Sequence, residues 1–407
     1  MDVNKMELKD YCCLNRPRFR VEPESDSEWY FGNQQVNDEL LVRIRDDFDI
    51  RGVPKCGLIG RFGDGKTHTL HHIKYLFGKD PISYPSICFF LRLAPYDERI
   101  PDLSGWKYIH GKMLDAMGED FLRQVVRDFD NLPESRTAEI SGEMRKIFSF
   151  GDENLNRSLA NIFSGYFLRE TKSTVQAWQW LKGYKIDKGS AQDLGTTKTL
   201  ETAGDMLSVI LNIGNLVRKT TGKGILFLMD EAQSLNEVDK RQIEIHDAFL
   251  QLSSDDNQDV GFVIAYFGTG QQAIPAVIAQ PDDILSRLGV TRQNIEVAFI
   301  DLMRLINTKN DVKDFINNLL KNVKDTKKAD ELIKDENLSS KVTSESLPFT
   351  KDALDRICEI LYQNEQTRNP RMIINEIARV AAKAYHESKQ ANKYILADRA
   401  VVDSVLR

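Results

Sequence analysis

Five nearly continuous apolar runs punctuate the chain: "KCGLIG" (55–60), "SICFFLRL" (86–93), "GILFLM" (224–229), "GFVIAYF" (261–267) and "NIEVAF" (294–299). A strand that alternates apolar with polar residues has one wet face; runs as unbroken as these predict strands buried on both faces. Helical spacing fills the intervals between them. The pattern predicts an α/β fold, with a parallel sheet carrying helices on both faces.

The interval from Asp102 to Lys223 is mostly helical in pattern and too long for one crossover, so a helical insertion is expected there. Trp178 and Trp180 in "AWQWLKGYKI" would anchor it. Beyond residue 300 the strand signal stops. The charged segment 324–341, nearly free of apolar residues, predicts an exposed helix end and loop. A helical lid follows. Thr350 is placed to cap a helix whose apolar face is Leu354, Ile357, Cys358 and Leu361. Asn369 is placed to cap another, with Pro370 at its first position and Ile373, Ile374, Ile377, Ala381 and Ala384 along one side. The expected organisation is an N-terminal extension (1–30), an α/β nucleotide-binding domain (31–300) and a helical lid domain (301–407).

A chain of 407 residues can bury a sizeable core, and it has no apolar run of the 18 or more residues that a membrane span needs. Its first twenty residues lack the apolar heart of a leader, which makes a soluble protein of the cytoplasm the expectation. A net charge of −6 excludes a surface built throughout for nucleic acid, although "NRPRFR" (Arg16, Arg18, Arg20) is a local basic cluster. The five cysteines (Cys12, Cys13, Cys56, Cys88, Cys358) lack zinc-ligand spacing and read as small core residues. His68, His71 and His72 lack the carboxylate or cysteine that would complete a metal set, and read as packing or surface residues.

The chemistry concentrates in two places. After the first strand, "GRFGDGKT" fills the pattern G-x-x-x-x-G-K-[ST] with Gly60, Gly65, Lys66 and Thr67. Glycines let backbone amides turn inward on a phosphate, and the following helix presents its positive N-terminus to the same place. Lys66 would reach the β- and γ-phosphates of ATP and Thr67 would ligate Mg²⁺; Arg61, Phe62, Gly63, Asp64 and His68 complete the loop and first turn around the nucleotide. The third run ends in Asp230 and Glu231, at the carboxyl edge where open α/β sheets bind ligands. Asp230 would hold the Mg²⁺ shell and Glu231 would polarise the attacking water.

Four further residues are candidates by position. Thr269 in "GTG" is either a γ-phosphate sensor or a plain turn residue. Arg287 would reach a neighbouring subunit's nucleotide as an arginine finger, with Arg292 as its competitor and a surface ion pair as the alternative. Arg371 stands in the first turn of the Asn369-capped helix, where a cation opposes the helix dipole and an anionic partner is expected.

Taken in order, "GRFGDGKTHTL", "LFLMDEAQSL", "YFGTG", "LSRLG" and "NPRMIINEIARVAAKA" resemble the AAA+ ATPases, a class of P-loop NTPases. The likeness, over about residues 30–390, is to the origin-recognition-like branch of initiators, transposition regulators and BREX-type phage-defence ATP-binding proteins. It implies a sheet with the additional-strand order of this class, a helical lid following it, and nucleotide between the subunits of a ring or filament. It assigns Lys66 and Thr67 to Walker A, Asp230 and Glu231 to Walker B, Thr269 to sensor 1, Arg287 to the finger and Arg371 to sensor 2. Initiators also carry a winged helix, for which the twenty or so residues after the lid leave no room, so DNA contact through that module is not expected. The function implied is Mg²⁺-dependent ATP hydrolysis driving assembly or remodelling on DNA or a DNA-processing partner, in phage defence or mobile-element control. The alternative is a nucleotide-gated scaffold with slow turnover that recruits an effector.

Overall fold

A computed structural model describes residues 3–30, 32, 34–93, 105–131, 140–167, 174–196, 198–237, 242–254, 256–268 and 299–406. In chain order the first elements are α1 (Leu8–Tyr11), α2 (Gln34–Arg51), β1 (Lys55–Gly60), α3 (Lys66–Lys79) and β2 (Ser86–Arg92). There follow α4 (Trp106–Met117), α5 (Glu119–Asp130), α6 (Ile140–Ile147), α7 (Glu153–Ile162), α8 (Thr174–Leu181), α9 (Lys188–Asp193) and α10 (Ala203–Thr221). The remainder comprises β3 (Gly224–Asp230), α11 (Gln242–Leu252), β4 (Val260–Phe267), β5 (Phe299–Asp301), α12 (Lys309–Val323), α13 (Thr326–Asp335), α14 (Lys351–Gln363), α15 (Pro370–Ala391) and α16 (Arg399–Val405). The first four expected strands are present; of the fifth, residues 294–298 lie outside the described residues.

The chain forms two compact units. One comprises Leu40–Ile59 and Leu70–Ile300 and is built on the sheet. The five strands run in the order β2-β3-β4-β1-β5, with β2–β3 and β3–β4 parallel. One strand, β4, therefore lies between the strand that leads into the glycine loop and the strand that ends in the acidic pair. This is the additional-strand order the resemblance implied, and the fold is an α/β fold of the P-loop NTPase kind.

Strand alternation distributes the core to two faces. Ile225, Phe227 and Met229 of β3 and Val260, Phe262, Ile264 and Tyr266 of β4 join the helices of the insertion in one apolar core. Leu226, Leu228, Val263 and Ala265 between them are equally buried but face away from it. On β2, Phe89 meets Phe121 of α5 on one side while Phe90 meets His71 of α3 on the other, so helices cover both faces. Helix α10 lies close on the sheet because Gly214 has no side chain: a Cβ there would stand 2.4 Å from Val260 Cγ2.

The 102–223 interval is helical as expected, and Trp180 is fully buried with its indole N–H donating to the Lys198 carbonyl at 2.8 Å. His110, also fully buried, donates from Nε2 to the Leu181 carbonyl at 2.6 Å; burial pulls its pKa down to about 4, so the ring is neutral at physiological pH.

The second unit comprises Met1–Glu39, Gly60–Thr69 and Asp301–Arg407. The expected caps are made: Thr350 accepts from the Ala353 N–H and Asn369 from the Met372 N–H. The buried faces are slightly rotated from expectation, to Ala353, Ile357, Cys358 and Leu361 on α14 and to Ile373, Ile377, Val380, Ala381 and Ala384 on α15, leaving Leu354 and Ile374 half-buried.

One expectation fails here. The charged segment 324–341 contains a ten-residue helix, α13, capped by Asp325 and buried along Ala329, Leu332 and Ile333. Three apolar residues at helical spacing suffice to seat a helix whose charges all fit on its wet face. The N-terminal extension is also built into the helical unit. Leu14 bridges to Lys324 in antiparallel fashion, the Asn15 N–H donates to the Val323 carbonyl at 3.0 Å, and the Tyr394 hydroxyl donates to the Tyr11 carbonyl at 2.7 Å. Lys324 is buried with its ammonium on the carbonyls of Cys12 and Leu347, and burial pulls its pKa down to about 8.

Arg16 of the basic cluster is neutralised by a bidentate bond to Asp26 at 2.6 and 3.1 Å and lies over the Trp29 ring. Cys12, Cys13, Cys56 and Cys358 are buried free thiols, and desolvation pushes them up, to about 12 at Cys12 and Cys56 and about 11 at Cys13 and Cys358. Cys88 is only half-buried.

Candidate phosphate-binding site

Strand β1 ends at Gly60, α3 begins at Lys66, and the glycine loop joins them. Gly63 and Gly65 have φ of +96° and +91°, the left-handed region that side chains disfavour, so the loop needs glycine at both positions. The two glycines differ in what surrounds them. A Cβ on Gly65 would meet nothing within 4 Å, whereas one on Gly63 would stand 2.8 Å from Asn369 Oδ1 and 3.0 Å from Arg371 Cβ. Backbone angle alone selects glycine at 65; at 63 the start of α15 adds a steric reason.

Lys66 folds back over the loop, its Nζ donating to the carbonyls of Gly60 and Arg61 at 2.8 Å each. The loop is thus closed on its own lysine. Thr67 and His68 occupy the first turn of α3 with Lys66. The His68 ring bonds the Trp29 carbonyl, and burial pulls its pKa down, which favours a neutral packing residue. His71 and His72 are buried against Phe90 and Tyr75. Among the described residues no group of three or more His, Cys, Asp or Glu side chains is placed to hold a metal ion.

Asp64 is the unusual member of the loop. Its side chain is 1% exposed; Oδ2 accepts from the Arg61 N–H at 2.5 Å and Oδ1 has no hydrogen-bond partner. Burial raises its pKa, against smaller opposing effects of the Arg61 amide and of the Arg61 and Lys66 charges. An acid raised on folding binds more protons folded than unfolded, so its charge costs stability above the folded pKa, and that cost vanishes below the unfolded value of about 3.9. Asp64→Asn keeps an acceptor for Arg61 and removes the charge. It is expected to stabilise the chain by about 1 kcal/mol at pH 7, a gain of about 2 °C in Tm, and to lose that advantage as pH falls towards 4. Thermal melts of the two proteins across that range check it; a constant difference would refute the assignment.

Arg371, the second residue of α15, donates its backbone N–H to the Gly63 carbonyl at 3.3 Å. Its side chain meets an aromatic ring: the guanidinium carbon lies 4.0 Å from the centroid of Phe62. The negative face of the ring offsets part of the cost of a cation at a helix N-terminus. The structure therefore brings Arg371 to the glycine loop.

In the sheet unit, Asp230 is the last residue of β3 and 2% exposed, and its Oδ1 accepts the Glu231 N–H at 2.9 Å. Alternation puts it on the face of Leu226 and Leu228, away from the insertion. Glu231 has φ of +59°, a left-handed conformation costing a non-glycine residue of order 1 kcal/mol. A strained backbone held by its neighbour's carboxylate fixes where the Glu231 side chain starts, and no sequence pattern announces it. Thr269, Arg287 and Arg292 lie outside the described residues.

No family model matches the chain, and no curated protein matches it. Among solved structures it is similar to the crystal structure of Cdc6p from Pyrobaculum aerophilum, with a TM-score of 0.41 and 12% sequence identity over 92% of this chain. The chain spans 66% of that protein's structure, just under two thirds.

Proposed function

We propose that the chain is an AAA+ ATPase of the origin-recognition-like branch, binding ATP with Mg²⁺ at the interfaces of a homo-oligomer and hydrolysing it to drive assembly or remodelling on DNA or a DNA-processing partner. The observation that carries the reading is the glycine loop between β1 and α3, bent at Gly63 and Gly65 and closed on Lys66. The sheet order, with β4 between the two motif strands, supports it.

In this reading the amides from Gly60 to Thr67, Lys66 and the first turn of α3 hold the phosphates. The Thr67 hydroxyl and the Asp230 carboxylate are the hard oxygen donors that Mg²⁺ takes, and the ion would neutralise charge on the β- and γ-phosphates. Glu231 polarises the attacking water, while Thr269, Arg371 and a neighbour's Arg287 or Arg292 read the γ-phosphate. Among the described residues no helix is long and apolar enough to cross a membrane.

The test is phosphate release from ATP by the purified chain, with and without Mg²⁺ and with and without DNA. Mg²⁺-dependent turnover is expected, and DNA that raises it would support the DNA-directed half of the reading. Absence of both turnover and any ATP-induced rise in melting temperature would overturn the whole.

A further inference from the structure

We propose that Phe62 is a positioning residue for Arg371, holding its guanidinium flat at the phosphate loop so that its in-plane N–H groups point to an incoming γ-phosphate. The inference rests on the nucleotide-binding reading of the loop and deepens it. Phe62 is a large apolar residue left 69% exposed, and the Arg371 guanidinium stands 4.0 Å over its ring. The neighbouring backbone fixes this pairing. The Arg371 N–H donates to the Gly63 carbonyl, and the contact that a Cβ on Gly63 would make with Arg371 Cβ, at 3.0 Å, shows how closely the two segments approach. Asn369 is committed to the cap through the Met372 N–H and the Gln366 carbonyl, so the first turn of α15 is rigid where it meets the loop.

The choice of an aromatic holder has a chemical consequence. A carboxylate would bind the guanidinium through its edge, consuming the forked donors and neutralising the charge. A ring binds it through its face, leaving the planar fork and the full charge available to an anion. Among the described residues no carboxylate forms an ion pair with Arg371. A long side chain that would otherwise lose rotamer freedom on binding is thus already confined. The benefit falls on a ligand with a γ-phosphate and not on one without.

The experiment compares the affinities of the full chain for ATPγS and for ADP by calorimetry, in wild type, Phe62→Ala, Phe62→Tyr, Arg371→Ala and the double variant Phe62→Ala/Arg371→Ala. Phe62→Ala is expected to lower the preference for the triphosphate about two- to fivefold, the range of an exposed cation–π contact, with ATPγS affinity falling more than ADP affinity. Phe62→Tyr should restore the preference, and the double variant should fall no further than Arg371→Ala. An unchanged preference in Phe62→Ala, an equal loss for both nucleotides, or additive losses in the double variant would overturn the proposal while leaving nucleotide binding intact. A wild-type chain that binds neither nucleotide would overturn the reading of the loop, and the proposal with it. Should Phe62→Ala fail to fold, Phe62→Trp supplies a second readout: its emission in the nucleotide-free protein should shift when Arg371→Ala is added, and an identical spectrum would refute the contact.

Discussion

Glu231→Gln is expected to bind ATP about as tightly as the wild type and to release phosphate at least about a hundredfold more slowly, the usual contribution of a general base. The substitution keeps the size of the side chain and removes only its capacity to take a proton. The left-handed backbone at Glu231 allows a finer version of the test. Glu231→Gly relieves the strain and removes the carboxylate, so it should melt slightly higher than wild type while being as inactive as the glutamine variant. Rapid-quench measurement of bound ATP and released phosphate, with melts of all three proteins, would decide. A glutamine variant that turns over at the wild-type rate would remove Glu231 from the chemistry, whereas assembly and partner binding left almost unchanged by the substitution would favour the scaffold alternative.

Lys66→Ala is expected to weaken ATP binding about a hundredfold, because in the proposed reading the ammonium is the loop's charge-assisted contact to the β- and γ-phosphates and such bonds contribute up to about 3 kcal/mol. Its cost in the empty protein should be about 1 kcal/mol. Of the two carbonyls that Lys66 now holds, that of Arg61 lies in a half-buried turn that water can reach, while Gly60 is buried at the end of β1. Equilibrium binding of a fluorescent ATP analogue would show the loss, and melting without nucleotide would show whether the variant remains folded. A folded variant with undiminished affinity would mean that the lysine serves only to close its own loop.

Much of the site was legible in the sequence because its requirements are local. A strand buried on both faces has to be apolar throughout, a turn with φ near +90° requires glycine, and a carboxylate after an apolar run has only a strand end to occupy. The caps of Thr350 and Asn369 were legible for the same reason, each acting within three residues of itself. The ring beside Arg371 was not legible, because charge arithmetic along one helix cannot see an aromatic side chain brought in from the loop. Helix α13 escaped notice because its apolar stripe is only three residues wide within a charged run.

What the sequence alone determined was therefore the class of fold and the glycine bend of its loop, since each follows from the steric and solvation demands of neighbouring residues. Only the tertiary structure decided that the start of α15 closes on Gly63, that Phe62 carries Arg371, that Asp64 is sealed in with one oxygen unbonded and that the N-terminal segment completes the helical unit. Those contacts join segments distant along the chain, and no local pattern encodes which of many apolar or charged neighbours a side chain will meet.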